Sequence, residues 1–181
     1  TPRLFLSSRA IGSGIPNLLF ADIRGVEDAR ESVAAARAET PKTKGYMGAA
    51  MRRDVGYVLG PGSRQYVQQL EEGVVALMIE KQAAIENLGA ILSVKGVDMV
   101  QFGPADYSMS LGIPGQWNAP PVKEAEEYMI KTAIKMGIAP RVELMDFKDA
   151  DPYLKMGVKH FCIGWDVFII QKFCQEQGAA F

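Results

Sequence analysis

The sequence predicts an α/β fold of the (β/α)8 TIM-barrel type, with early strands of the barrel absent from this chain. Three observations carry that expectation. Short apolar runs alternate with segments of helical period, the mark of parallel strands joined by helices. The runs are mostly continuous, as strands covered on both faces require. Glycines at 96, 137 and 157 follow the helical segments within a residue or so, where a left-handed backbone favours glycine.

In chain order, the apolar runs place strands near 2–6, 17–22, 74–79, 97–102, 139–144 and 159–164. Between them Val26, Ala29, Val33 and Ala36 recur at helical spacing, as do Ile85, Leu88 and Leu92, and then Val122, Ala125, Met129 and Ala133. Each helix therefore has one apolar face to lay on the sheet. The stretch from Thr40 to Gly62, rich in Gly, Arg and Lys, reads as a long functional loop. A complete barrel needs about 250 residues; with 181 residues, positions 1–181 are expected to form a single partial barrel domain. A parallel crossover needs about a dozen residues, yet only about ten separate Leu6 from Asn17. That shortfall predicts a gap in the barrel near Ser8 and Arg9, the alternative being that residues 1–8 are a tail outside it.

Hydrophobic residues make up 48% of the chain and its net charge is −1, which argues against a disordered chain and against a broad electrostatic grip on nucleic acid. No apolar stretch approaches the roughly 20 residues that cross a bilayer, so no membrane partner is expected. The first residues do not follow the pattern of a secretory signal. Cys162 and Cys174 are too few for a disulfide framework and lack metal-site spacing. A reducing, cytoplasmic setting is the expectation.

In such a barrel the loops at the carboxyl ends of the strands converge on one cavity, so acids there matter most. Candidates are Asp22, Glu80, Asp106, Glu143 or Asp146, and Asp166. Solvated strand ends often carry acids, so no single one is diagnostic. Glu80 and Asp106 stand apart because each directly follows a strongly apolar strand, and Asp106 is preceded by the turn Gly103-Pro104-Ala105. Magnesium-like cations take carboxylate oxygens while keeping several waters, so two acids on neighbouring strands can suffice. The turn would leave backbone N–H groups facing the cavity, with Ala105 a contact for an anionic carboxylate. The competing reading pairs both acids with lysines.

The stretch from Val74 to Gln116, VVALMIEKQAAIENLGAILSVKGVDMVQFGPADYSMSLGIPGQ, closely resembles the core motif of the HpcH/HpaI aldolases, metal-dependent pyruvate aldolases of the phosphoenolpyruvate/pyruvate type of barrel. It combines a strand ending in "IE", a helix containing "EN", a "GVD" strand entry and the "GPAD" turn followed by an "S…G.PG" segment. The resemblance runs more loosely through PNLLFADIRGVEDARESVAAAR and from Val122 to Phe181. It implies that Glu80 and Asp106 ligate a divalent metal, magnesium or manganese ahead of cobalt or zinc. It implies too that Gly103, Pro104, Ala105 and Asp106 form the substrate turn, with the backbone at Ala105 and Asp106 holding the pyruvate carboxylate. The implied reaction is class II aldol cleavage of a 4-hydroxy-2-oxo acid to pyruvate, or a close 2-oxo acid, and an aldehyde.

Several positions depart from the family pattern or fall outside it. The resemblance aligns Phe5 with an arginine that contacts substrate, and Gly12 with the aspartate partner of a catalytic histidine; that histidine belongs to an early loop. His160, the lone histidine, reads as a packed structural residue. Lys81, next to Glu80, is expected to point away from the metal as a solvent-facing or helix-start residue. Arg52 and Arg53 are candidates for an anion contact, with Arg53 the candidate catalytic residue. Trp117 reads as shaping the aldehyde side of the pocket, with a subunit contact as its alternative.

The last helix, with Phe168, Ile169, Ile170, Phe173 and Cys174 after Val167, is apolar enough to predict homo-oligomers. Core packing of a terminal helix is the competing account. Two other functions remain on the table. One is a related lyase acting on acyl-CoA or citryl substrates, although no basic cluster for the CoA phosphates is evident. The other is a degenerate barrel that binds a metal or 2-oxo acid without turnover, motivated by Phe5 and Gly12.

Overall fold

VALMI and MVQF are uninterrupted apolar or near-apolar runs, and they become adjacent inner strands of a parallel sheet. The computed structural model describes residues 2–49 and 60–180. Its elements are α1 (Pro2–Gly12), β1 (Leu18–Ile23), α2 (Val26–Ala36), α3 (Arg64–Glu72), β2 (Val75–Ile79), α4 (Gln82–Glu86), α5 (Leu88–Leu92), β3 (Met99–Phe102), α6 (Pro104–Ser110), α7 (Pro120–Met136), β4 (Ala139–Leu144), α8 (Asp151–Met156), β5 (His160–Ile163) and α9 (Asp166–Gly178). A 3₁₀ turn, Phe147–Ala150, precedes α8.

The sheet has five strands in the order β1-β2-β3-β4-β5, every neighbouring pair parallel. Strand order follows chain order, as in a barrel sector. Val75, Leu77, Ile79, Val100, Val142 and Leu144 point to one side and meet α2, α5 and α7 in the main core. On α7 the expected stripe Val122, Ala125, Met129 and Ala133 is buried. Gly137 and Gly157 close α7 and α8 at φ 76° and 93°, the left-handed caps expected of them. At the amino ends of the strands, the Arg37 guanidinium donates to the Leu70 and Gly73 carbonyls at 3.0 and 2.7 Å. It also reaches Asp98 at 3.3 Å, and that carboxylate accepts the Val75 N–H.

One expected strand is a helix. PRLFL has the apolar density of a short strand, but Leu4, Ser7 and Ile11 lie at helical spacing, and Ser7 and Ile11 are buried. Phe5 and Leu6 are exposed on the other side of α1. Pro2 suits a first turn, where a missing N–H breaks no helical bond. Two expectations are corrected as a result. Ser8 and Arg9 lie inside a continuous helix that leads directly into β1, so no gap exists there. Phe5 and Gly12, both helical, cannot stand in for strand-end site residues, and the departures inferred at those positions lapse.

A second correction concerns His160, which is exposed at the start of β5 rather than packed. β5 closes the row of described strands, so only β4 pairs with it. Of the loop from Thr40 to Gly62, the described part is anchored by Met47 in a small cluster with Ile11, Ala38, Tyr66 and Leu70, and the Tyr66 hydroxyl donates to the Gly48 carbonyl at 2.6 Å. Arg52 and Arg53 lie outside the described residues.

Candidate active site

Because alternate strand residues face opposite sides, Met78 from β2, Gln101 from β3, and Arg141 and Glu143 from β4 share the face away from the helices, and Glu80, just past the end of β2, lines the same cleft. They line a cleft of about 570 Å³ at the carboxyl ends of the strands, a volume suited to a small metabolite. Trp117, Met145 and Trp165 contribute apolar wall.

Glu80 is the first residue past β2 and is only 6% exposed. Its Oε1 accepts the Asp22 backbone N–H at 2.6 Å. That contact depends on an irregularity in β1, where the register with β2 slips between Phe20 and Ile23. Asp22 takes φ 55°, a conformation a non-glycine residue adopts only when its surroundings impose it. Arg3 imposes it from α1, donating to the Ala21 and Asp22 carbonyls at 3.0 and 3.2 Å. Burial pushes the Glu80 carboxyl above its ordinary 4.5; the Asp22 N–H opposes this and the nearby Asp106 charge adds to it.

The GPAD turn sits beside Glu80. A side chain on Gly103 would place its Cβ 2.8 Å from the Glu80 Cβ and 2.9 Å from its Oε2. Glycine is required there for space, since φ is an ordinary −109°. Gly103 donates its N–H to the Ile79 carbonyl, and Pro104 opens α6 without a donor to waste. Among the described residues the Ala105 and Asp106 N–H groups have no acceptor, because the first helical bond runs from Tyr107 to Gly103. These are the donors expected of the turn.

Asp106 accepts a hydrogen bond from Lys81 Nζ at 2.8 Å through Oδ1. Lys81 Nζ is also 3.7 Å from Asp22. Lys81 therefore turns into the acid cluster, correcting the expectation that it points away. Strand alternation ends with β2 at Ile79, and a four-carbon stem just beyond it is long enough to fold back. The hydrogen bond to Asp106 raises the lysine above its ordinary 10.5. Asp106 is thus lysine-paired, whereas no lysine ion pair reaches Glu80 among the described residues. Glu80 Oε2 and Asp106 Oδ2 have no hydrogen bond among the described residues, so each acid retains an oxygen for a cation. No group of three or more His, Cys, Asp or Glu converges to hold a metal among the described residues, and a cation here would complete its shell with water or substrate.

Of the remaining expected acids, Glu143 lines the cleft. Asp146 instead accepts the Lys148 N–H at 3.0 Å, and Asp166 begins α9. Sequence reasoning passed over the network next to Glu143. Gln101 is 2% exposed and its Nε2 donates to Glu143 Oε2 at 3.0 Å; Arg141 Nη1 donates to Gln101 Oε1, and Trp165 Nε1 to Glu143 Oε1. The available signal was the alternation in APRVEL, where Arg and Glu interrupt an otherwise apolar strand.

The model of the HpcH/HpaI aldolase/citrate lyase family matches residues 6–172. The chain belongs to that family. A 4-hydroxy-2-oxo-heptane-1,7-dioate aldolase of Escherichia coli is 31% identical over 169 residues, covering 93% of this chain and 63% of that protein. The chain thus spans a little under two thirds of that relative. An HpcH/HpaI aldolase/citrate lyase family protein of Burkholderia cenocepacia J2315 superposes with a TM-score of 0.85 at 25% identity, covering 98% of this chain and 69% of the other. An HpcH/HpaI aldolase of Desulfitobacterium hafniense DCB-2 gives 0.83 at 25% identity, covering 98% and 68%. These likenesses make the sheet a sector of a TIM-barrel-like fold. No helix among the described residues is long and apolar enough to cross a membrane.

Proposed function

We propose that this chain is the metal-binding part of a carbon–carbon lyase that cleaves a 4-hydroxy-2-oxo acid to pyruvate, or a close 2-oxo acid, and an aldehyde. The observation that carries the reading is the pair of uncommitted carboxylate oxygens, Glu80 Oε2 and Asp106 Oδ2, at the ends of adjacent strands beside two uncommitted N–H groups at Ala105 and Asp106. Glu80 and Asp106 would hold a magnesium or manganese ion, whose charge replaces the Lys81 ammonium as the counter-charge of the cluster. When bound, a divalent cation supplies Lewis-acid polarisation of the 2-oxo group. The Ala105 and Asp106 N–H groups receive the substrate carboxylate and fix its orientation. Asp22 N–H holds Glu80 in its ligating position, and Met78, Phe102 and Trp117 limit water at the reacting carbons. The exposed face of α9, with Val167, Ile169, Ile170 and Phe173, supports assembly of the working enzyme from copies of itself.

The test is pyruvate release from a 4-hydroxy-2-oxo acid with magnesium or manganese present and after chelation. Glu80→Ala and Asp106→Ala should each lower metal-dependent turnover by roughly a hundredfold or more while the fold persists. Unchanged turnover in both variants would end the proposal.

A further inference from the structure

We infer that Lys81 is a placeholder for the divalent ion: its ammonium holds Asp106 in the metal-free chain and passes to Asp22 when the ion binds. This deepens the reading of Glu80 and Asp106 given above and rests on it.

β1, β2 and β3 are consecutive in the sheet, and the turns at their carboxyl ends bring three carboxylates together, Asp22, Glu80 and Asp106. Like charges so placed repel one another. Among the described residues Lys81 is the one cation that reaches two of the three. Its Nζ donates to Asp106 Oδ1 at 2.8 Å and stands 3.7 Å from Asp22 Oδ1. All four groups belong to strand ends of this chain that are paired with one another, and the Lys81 side chain is 18% exposed. The other described lysines in ion pairs are 46–88% exposed, so Lys81 alone is drawn into an acid cluster rather than left at the surface.

The lysine has a second seat within reach. The turn that aims the Asp22 N–H at Glu80 leaves the Asp22 carboxylate beside Lys81. A shift of about 1 Å brings Nζ within hydrogen-bond range of Asp22. Lys81 caps α4 with extended backbone and makes no side-chain cap bond, so only its flexible four-carbon stem has to move. The cation already on Asp22 is Arg24 at 3.0 Å, whose side chain is 65% exposed; water screens that contact, and Asp22 can accept another. Asp106 is the seat that must empty, because an ion and an ammonium on one carboxylate repel each other. Lys81 thus holds the acids together before the ion arrives, and the ion binds against the contact it displaces.

The test is manganese affinity by titration calorimetry on the full chain, with urea unfolding in chelator beside it. Lys81→Met should bind manganese about fivefold tighter or more, the range of one partly solvated charge-assisted contact, and should unfold in chelator at lower urea than the parent chain. Asp22→Asn removes the second seat and should weaken manganese binding more in the parent chain than in Lys81→Met. If Lys81→Met fails to fold without metal by circular dichroism, Lys81→Gln carries the comparison. Manganese affinity that is unchanged or weaker in the folded Lys81 variant, or a urea midpoint in chelator that does not fall, overturns the placeholder. An equal loss from Asp22→Asn in both backgrounds overturns the transfer to Asp22. No manganese binding in any of these chains overturns the metal reading and this inference with it, whereas equal binding in all of them overturns this inference alone.

Discussion

Replacing Arg3 with methionine should disturb the metal site proposed at Glu80 and Asp106, which Arg3 does not touch. The substitution keeps an apolar stem and removes two hydrogen bonds to carbonyls, at 3.0 and 3.2 Å to Ala21 and Asp22. It also removes ion pairs at 3.6 Å to Asp28 and 3.7 Å to Glu31. Hydrogen bonds from a charged donor contribute about 1.5–3 kcal/mol each where water is excluded, but this guanidinium is partly solvated and its ion pairs add about 0–1 kcal/mol. A loss of about 2–4 kcal/mol in stability follows. The strained Asp22 turn, which costs of order 1 kcal/mol or more to hold, then relaxes, and its N–H leaves the Glu80 carboxylate it meets at 2.6 Å. If half of a charge-assisted bond is lost from the ligating geometry, manganese affinity falls about tenfold, equivalent to about 1.4 kcal/mol. Urea unfolding in the presence of chelator measures the first effect, and manganese titration by electron paramagnetic resonance the second. A destabilised variant with unchanged manganese affinity would refute the idea that this turn positions Glu80. Unchanged stability would refute the clamp itself.

Three further outcomes are expected. Gly103→Ala should displace Glu80, because the new Cβ would sit 2.8 Å from the Glu80 Cβ; manganese affinity should drop tenfold or more, and an unaltered titration would show that the two backbones can part. Glu80→Gln should stabilise the metal-free protein at neutral pH. Burial raises the folded-state pKa of Glu80, so ionising it costs stability; the penalty is absent below pH 4.5, grows as pH rises through the folded value and is full above it. Unfolding in chelator across that range should show the advantage of the variant appearing as pH rises, and an advantage seen only in acid would contradict the assignment. Arg37→Met leaves the Leu70 and Gly73 carbonyls and the Asp98 carboxylate short of a donor, and should cost about 3 kcal/mol or more in urea unfolding; a loss below 1 kcal/mol would mean that water replaces the guanidinium.

The order of the five strands after residue 17, and of the helices α2, α5, α7 and α9 between and after them, was legible in the sequence because it depends on local period, whereas α3 and α6 were not: VALMI, the α7 stripe and the caps at Gly137 and Gly157 carry their own signals. The placement of Glu80 and Asp106 at neighbouring strand ends was legible too, since parallel strands in chain order bring consecutive carboxyl ends together. PRLFL was ambiguous for the same reason that made the others clear, as a run of five residues is too short to separate a period of two from one of 3.6. Its neighbours Ser7 and Ile11 decide for a helix only once they are seen to be buried. The sequence alone also left Gly103 as a turn glycine, when what excludes a side chain there is Glu80 from another strand. Lys81 was assigned by alternation, which has no force beyond the last paired residue of β2. The pairing of Gln101 with both Arg141 and Glu143, and the clamp of Arg3 on the Asp22 turn, rest on contacts 18 to 42 residues apart in the chain. Local pattern determined which segments become strands and which acids end them; the register between strands decided which side chains meet, because that register is set by packing across the whole sheet and is written in no single segment.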